Sequence, residues 1–176
     1  MCSLERFKID LKGLKTEQTM LEFDLDDDFF KSLGATEVDG GTLHVSVSIR
    51  KATGFFELHF HTEGTVTIPC DRCLDAMQQP ITADHTAVVK LGNTASDDGD
   101  EVIVVDETEG TLDTSWLIYE YVALSIPIQH VHQPGDCNVE MMEKLTELSA
   151  ARSSVDADSP ATDPRWSKLS ELIINN

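Results

Sequence analysis

The 176-residue chain has few basic residues. Lysine and arginine together number 13, against 32 aspartates and glutamates, so the formal net charge is −19. A surface of this charge as a whole repels phosphate backbones and anionic lipids. Any contact with a nucleic acid therefore needs a local basic patch or a protein intermediary, and the charge balance favours a protein partner.

Long apolar runs are also missing. No stretch approaches the roughly 18 consecutive apolar residues of a transmembrane helix, so we expect no membrane span. The first ten residues alternate charged and apolar side chains and lack the apolar segment of a secretory signal. We therefore expect a cytoplasmic protein.

Sequence motifs of catalysis are absent as well. The chain contains no Gly-x-Ser-x-Gly motif, no phosphate-binding glycine loop and no evident nucleophile–base pair. The acidic clusters at 26–28 and 97–101 lack the ordered glycine of a calcium loop and are typical of solvated surface. His44, His59 and His61 lie on adjacent predicted strands, and the last two share the face expected to meet solvent. Nothing here argues for an enzyme.

Alternating apolar residues dominate the first half of the chain. This period-2 pattern predicts half-buried strands, separated by polar breaks at 51–54 and 63–64. A short helix with an acidic first turn should follow residue 25 and end at Gly34. The expected antiparallel strands lie near 20–25, 43–49, 56–60, 66–68 and 81–91.

The second half of the chain has helical spacing. We expect one helix from Leu112 to the residue before Pro127, with Thr111 or Asp113 as its N-cap, and a second helix after Asn138. Strands first and helices second predict an α+β fold, with helices packed on an antiparallel meander. The predicted organisation is one domain over 1–150 (β-rich over 1–106, helical over 111–150), a polar linker over 151–162 and a short helix over 163–174.

The cysteines suggest a metal site. In a reducing cytosol, such a set indicates metal ligands or redox thiols rather than structural disulfides. Cys70 and Cys73 form a C-x-x-C motif at the end of a predicted strand, and His132 and Cys137 flank a Pro-Gly pair much later in the chain. Zinc prefers tetrahedral sulfur and imidazole ligation, and the tight turn of a C-x-x-C motif lets both thiolates bind one ion. These four residues therefore predict a structural zinc site, without an open coordination position, at the junction of sheet and helices.

Other interpretations of the cysteines stay open. A thioredoxin-like redox protein needs its C-x-x-C thiol at the start of a helix, and the segment 74–79 before Pro80 is too short for one. The thiols could also carry no metal and pack near a partner surface. His130 competes with His132 as the imidazole ligand, and Cys2, near the terminus, is left out of the site.

Three segments carry a resemblance to a known family. They are Cys70-Asp71-Arg72-Cys73-Leu74, the stretch 127–137, and Asp163-Pro164-Arg165-Trp166 before the terminal helix. With these segments the sequence resembles the bacterial YceD family, the large-subunit ribosomal RNA accumulation proteins. In that family the fifth residue after the proline of the second segment is Cys or His. Here it is His132, so the resemblance favours His132 over His130.

The resemblance implies a cytoplasmic, non-enzymatic factor of ribosome biogenesis that supports normal amounts of the large-subunit (23S) rRNA. It implies neither a membrane nor a small-molecule substrate. The stretch 91–143 contains 12 acidic residues and no lysine or arginine. We hypothesise that this stretch binds a basic large-subunit ribosomal protein or assembly factor by electrostatic attraction.

Three alternatives to that hypothesis remain. The acidic residues could merely solvate the surface, or Cys70 and Cys73 could act as a thiol-disulfide redox pair. Direct rRNA binding is the third, with Phe55 or Phe56 available for stacking on a base. The basic residues available for it are Lys8, Lys12, Lys15, Arg50 and Lys51.

Overall fold

A computed structural model describes residues 4–92 and 102–149. The chain divides into two compact units, Met1–Met142 and Glu143–Asn176. Four features predicted from the sequence lie outside the described residues: Cys2, the acidic cluster at 97–101, the linker at 151–162 and the helix at 163–174. None of the helices in the described part is long and apolar enough to span a membrane.

Seven strands and three helices follow a short 3-10 turn at Leu4–Phe7 within the described ranges. In chain order they are β1 (Lys8–Asp10), β2 (Gln18–Leu25), α1 (Asp27–Leu33), β3 (Gly40–Ala52), β4 (Phe55–Pro69), β5 (Ala76–Gly92), β6 (Val102–Asp106), β7 (Thr111–Asp113), α2 (Ser115–Leu124) and α3 (Val139–Leu148).

The main sheet has five strands in the order β2-β3-β4-β5-β6. Strands β2 to β5 form the predicted antiparallel meander, and the α+β fold is confirmed. Strand β6 pairs with β5 in parallel, which the meander prediction did not include. A separate pair, β1 with β7, joins the N-terminal segment to the start of α2.

The hydrophobic core lies on one face of this sheet. The antiparallel register places Val47 of β3 opposite Phe60 of β4, and both are buried, as the alternation predicts. Helix α2 covers this face, since the rings of Phe60 and Tyr121 lie 5.2 Å apart. Helix α1 adds Phe29 and Phe30, both almost fully buried.

The break predicted at 63–64 is wrong, because β4 continues through it. Phe60, Thr62 and Val66 lie on the same face of the strand, and all three are buried. Because Thr62 is polar, a pattern based on apolar residues alone does not show that the strand continues. Gly64 has φ +145° and a neighbouring backbone on that side, so it marks a close approach of two strands rather than a turn. The two short strands predicted here are one strand of 15 residues.

The helix predicted from Leu112 begins later, at Ser115. Residues Thr111–Asp113 form strand β7, with Leu112 opposite Ile9 of β1, so pairing with the N-terminal segment overrides the helical spacing. The N-cap is Thr114, so the expected caps Thr111 and Asp113 are both wrong, although the Asp113 carboxylate accepts the Ser115 N–H at 2.9 Å. The description of 111–150 as helical is corrected to two helices, α2 and α3, after this strand.

Helices α1 and α3 form where the sequence predicts them. Asp26 caps α1 by accepting the Phe29 N–H at 3.0 Å, and Gly34 ends it in the left-handed conformation with φ +69°. Helix α3 follows Asn138, whose side-chain oxygen accepts the Met141 N–H at 3.2 Å. Leu148, on the predicted apolar face of α3, is 81% exposed, so that end of the face is not buried by residues 4–92 or 102–149.

Candidate metal centre

The C-x-x-C motif forms a tight turn between β4 and β5. Cys70 follows Pro69, whose partner across the ladder is Ala76, so the motif occupies the tip of a hairpin. The Leu74 N–H donates to the Cys70 carbonyl at 2.9 Å, which closes the turn. Leu74 has φ +63°, the one non-glycine residue with positive φ in the described ranges. This left-handed residue reverses the chain so that both thiols point to the same side.

The segment after α2 is held against this turn by Asp71. Its carboxylate accepts the His130 N–H at 2.7 Å, and its own N–H donates to the His130 carbonyl at 2.9 Å. The His130 ring contributes a third contact, with Nε2 3.2 Å from the Asp71 carboxylate. Further along the segment, the Asn138 amide donates to Asp75 at 3.0 Å.

These contacts bring together the four side chains that the sequence analysis proposes as metal ligands. One ligand atom from each of Cys70, Cys73, His132 and Cys137 lies within 4.8 Å of the others. The Cys73 Sγ to His132 Nδ1 distance is 3.3 Å. Two ligands of a tetrahedral zinc ion, one sulfur and one nitrogen, are separated by roughly 3.6 Å, as follows from the usual bond lengths. The spacing of the group and its Cys3His donor set fit zinc.

Burial makes this group well suited to hold a cation. Cys70 and Cys73 are almost completely buried, and His132 and Cys137 are half-buried. All four ligand positions of a tetrahedral ion would be filled by the chain, with little access for water.

The protonation equilibria of the group favour thiolate at Cys70. Burial by itself would raise the pKa of the Cys70 thiol. Backbone N–H groups of Cys73, Arg72 and His132 nevertheless hold the pKa of that thiol at about 6. Burial, together with the nearby sulfur atoms, raises the pKa of Cys137 above its ordinary value. A thiolate at Cys137 is therefore costly here without a cation, and a divalent ion would supply the missing positive charge.

The imidazole of His132 lies in direct contact with the thiols. Burial lowers the pKa of His132, but hydrogen bonds with Cys70 and Cys73 raise it above the ordinary value. His130, the competing candidate, lies outside the group: its Nδ1 is 3.0 Å from the Pro127 carbonyl and its Nε2 faces Asp71. The arrangement agrees with the choice of His132.

The chain that follows Cys73 bears on the redox interpretation. It enters strand β5 at Ala76, so the motif does not lead into a helix. A thioredoxin-like motif, in contrast, has its reactive cysteine at the start of a helix that follows directly.

The three histidines of the open sheet face lie apart from the cysteine group. His44 Nδ1 is 2.8 Å from Asp24, and His61 Nδ1 is 2.7 Å from Asp84. His59 Nδ1 is 3.1 Å from the Thr86 hydroxyl. Each ring is about half exposed, as expected for a solvent-facing strand surface.

Sequence reasoning missed Asp71 and the Asn138–Asp75 pair. Asp71 lies between the two cysteines of the motif, where any residue type is compatible with the turn. Its partner His130 is 59 residues away, so the contact left no local pattern to detect.

Fold and site together define a class of protein: an acidic α+β domain with a group of three cysteines and one histidine that could hold a metal ion. The family model described as "Large ribosomal RNA subunit accumulation protein YceD" matches residues 58–173, well over half of the chain. The chain belongs to this YceD family, as the resemblance predicted. Comparisons with curated proteins and with solved structures gave no match.

Proposed function

We propose that this protein is a non-catalytic ribosome-biogenesis factor that supports the accumulation of large-subunit rRNA in the cytoplasm. Family membership supports the link with large-subunit rRNA. We further propose that Cys70, Cys73, His132 and Cys137 bind a structural zinc ion. The observation that carries this proposal is the convergence of these four residues, from two distant parts of the chain, into one largely buried group.

A zinc ion in this position acts as a clamp. Two ligands come from the tip of the β4–β5 hairpin, and two come from the segment after α2. Because four protein ligands complete a tetrahedron, no position is left for substrate or water, and the ion would be structural rather than catalytic. Loss of the ion would remove one link between the 127–138 segment and the hairpin and leave the Asp71 and Asp75 contacts in place.

The acidic stretch 91–143 is the proposed surface for a basic partner, either a large-subunit ribosomal protein or an assembly factor. Every carboxylate of this stretch in the described residues is exposed, so its charge is available to a partner. Those residues are Asp106, Glu107, Glu109, Asp113, Glu120, Asp136, Glu140 and Glu143. Charge of one sign over an exposed surface speeds encounter with a basic protein, and salt weakens the effect.

Native mass spectrometry tests the metal proposal. Protein purified without chelator should carry one zinc ion, which is lost on denaturation, and all four thiols should then react as free cysteines. A Cys73→Ser variant should bind no zinc, whereas the matched Cys2→Ser variant should keep it. A metal-free chain with a Cys70–Cys73 disulfide that forms and reduces reversibly would contradict the zinc proposal and support the redox alternative.

The cellular role is tested by depletion of the protein. We expect the amount of large-subunit rRNA to fall relative to small-subunit rRNA, and the wild-type gene to restore it. Recovery by the Cys2→Ser gene but not by the Cys73→Ser gene would connect the metal centre to the function. An unchanged rRNA ratio after depletion would contradict the proposed function.

The partner proposal is tested by salt. Proteins captured at low ionic strength should include basic ribosomal proteins or assembly factors, and they should dissociate as salt rises from about 0.05 to 0.5 M. Capture that survives high salt unchanged would argue against an electrostatic interface.

A further inference from the structure

A cleft lies at the β3–β4 hairpin tip, away from the cysteine group. Its volume is about 340 Å³, within the size range of small-ligand sites. Three sequence-distant segments form it: residues 11–12 after β1, the hairpin residues 51–56, and Leu91 at the end of β5. The residues that line the cleft include Leu11, Lys12, Lys51, Phe55 and Leu91.

The walls of this cleft are apolar and aromatic. Leu11 is fully buried, while Phe55 and Leu91 are half-buried. Phe55 directly follows the two-residue turn of the hairpin, where Gly54 has φ +88°. The ring therefore stands at a fixed, accessible point at the end of a paired ladder.

Two lysines give the cleft a positive charge. Lys8 and Arg50 are paired with Glu5 and Glu57, so their charges are largely neutralised. Among the residues that the structure describes, neither Lys12 nor Lys51 forms such an ion pair. Lys12 interacts electrostatically with Asp106, so its charge is partly offset, but two ammonium groups at one cleft are still unusual on a chain of net charge −19.

The aliphatic part of the Lys12 side chain packs against Gly110. A Cβ atom on Gly110 would lie 2.6 Å from the Lys12 side-chain carbons. Because glycine has no Cβ, the aliphatic part of Lys12 can pack against this position. The Lys12 ammonium is 3.5 Å from the Thr108 carbonyl. The aliphatic part of Lys12 thus packs over Gly110 beside the cleft, while the residue as a whole is exposed.

We propose that this cleft binds one unstacked nucleotide of single-stranded RNA, with the base against Phe55 and the flanking phosphates beside Lys12 and Lys51. An aromatic ring stacks on any base, and lysines neutralise the backbone, the usual combination in single-strand binding. RNA is chosen as the ligand because the proposed function concerns rRNA, and the inference rests on that function.

Fluorescence anisotropy with a labelled single-stranded RNA of about ten nucleotides tests the site, with the full chain as the protein. Phe55→Ala should weaken binding about 5- to 150-fold, the range for loss of one stacked base. Phe55→Leu keeps an apolar side chain and should weaken binding as well, because it has no aromatic face. Thermal melting of each variant separates loss of binding from loss of folding.

The phosphate contacts are tested by salt dependence. In single-strand binding, each phosphate contact contributes roughly 0.7 to the slope of log affinity against log salt. The double substitution Lys12→Ala and Lys51→Ala should reduce that slope by about 1.4. Lys31→Ala, at the end of α1, is the matched control and should leave both slope and affinity unchanged.

Three outcomes would overturn the inference. These are equal binding by wild type and the Phe55 variants, an unchanged slope in the lysine double variant, and equally tight binding of a duplex of the same sequence. If RNA does not bind while depletion still lowers large-subunit rRNA, the cleft assignment fails and the proposed function stands. If RNA binds as described but depletion leaves rRNA unchanged, the proposed function fails instead.

Discussion

Asp71 is the residue that links the two halves of the candidate metal centre. It is not in the ligand group, yet both its carboxylate and its backbone N–H contact His130, two positions before the ligand His132. Residues that orient ligands in this way commonly determine how well the ligands match the ion.

We predict that Asp71→Ala lowers zinc affinity by about 10- to 100-fold, the usual cost of losing an orienting contact. The carboxylate acceptor is lost, while the backbone bond from residue 71 to the His130 carbonyl stays. Competition with a chromogenic chelator measures the affinity. Arg72→Ala, in the same turn and also exposed, is the matched control, and equal affinities in the two variants would contradict the orienting role.

The His44–Asp24 pair gives a prediction about pH. A hydrogen bond with Asp24 raises the pKa of His44 above its ordinary value of 6.5. Because this folded-state pKa is raised, the stabilisation by protonated His44 is complete below the unfolded value and is lost as pH rises through the raised pKa. An NMR titration should show this elevated pKa, and Asp24→Asn should return it toward 6.5. Asp84→Asn alters the contact of His61 and should leave His44 unchanged.

At the scale of elements, the β3–β4 ladder depends on two glycines at which the strands approach closely. Gly41 and Gly64 have φ +151° and +145°, and each faces the backbone of the other strand. A Cβ on Gly64 would meet the Thr42 carbonyl and come within 2.7 Å of the Leu43 Cα. Neither atom can move without disturbing the ladder.

Gly64→Ala should therefore destabilise the protein by roughly 2–5 kcal/mol, the sum of the backbone strain and the overpacking. Gly34→Ala is the matched control, because Gly34 also has positive φ but nothing within 4 Å of the added carbon. It should cost only the strain, about 1–2 kcal/mol. Urea denaturation of both variants measures the difference, and equal losses would show that the strand contact is not limiting.

At the scale of the whole molecule, a zinc ion bound at the candidate metal centre would couple stability to metal and to pH. A ligand that binds only the folded state stabilises it, by about 2.7 kcal/mol when its concentration is a hundred times the dissociation constant. Acid works against this stabilisation, because protons compete with zinc for the thiolates and the imidazole.

We predict that a chelator at neutral pH lowers the Tm by roughly 5–10 °C, the shift that this free energy gives for a domain of about this length. Zinc should also be released as the pH falls from about 7 to 5, as protons displace it from the thiolates. Differential scanning calorimetry with and without chelator measures the first effect, and a zinc-sensitive dye the second. In Cys70→Ser the chelator should have no effect on the Tm, and a chelator effect of the same size there would contradict the assignment.

The sequence by itself determined the features that depend on local chemistry. Apolar alternation set the strands of the meander, because a strand buries every second side chain. Asp26 and Gly34 set the ends of α1, because caps act within one turn. The residue types at Cys70, Cys73, His132 and Cys137 were enough to propose a ligand set, since soft donors in these spacings suit zinc.

Only the tertiary structure decided what depends on contacts between distant residues. Strand β7 forms at residues 111–113 because β1 pairs with it, although the local spacing is helical. β6 joins the sheet in parallel, and β4 stays continuous through Gly64 because a neighbouring strand approaches closely there. The Asp71–His130 contact and the cleft of Lys12, Lys51 and Phe55 likewise unite segments that are far apart in sequence. Chain folding creates such neighbours through burial and pairing, and a local pattern contains no record of them.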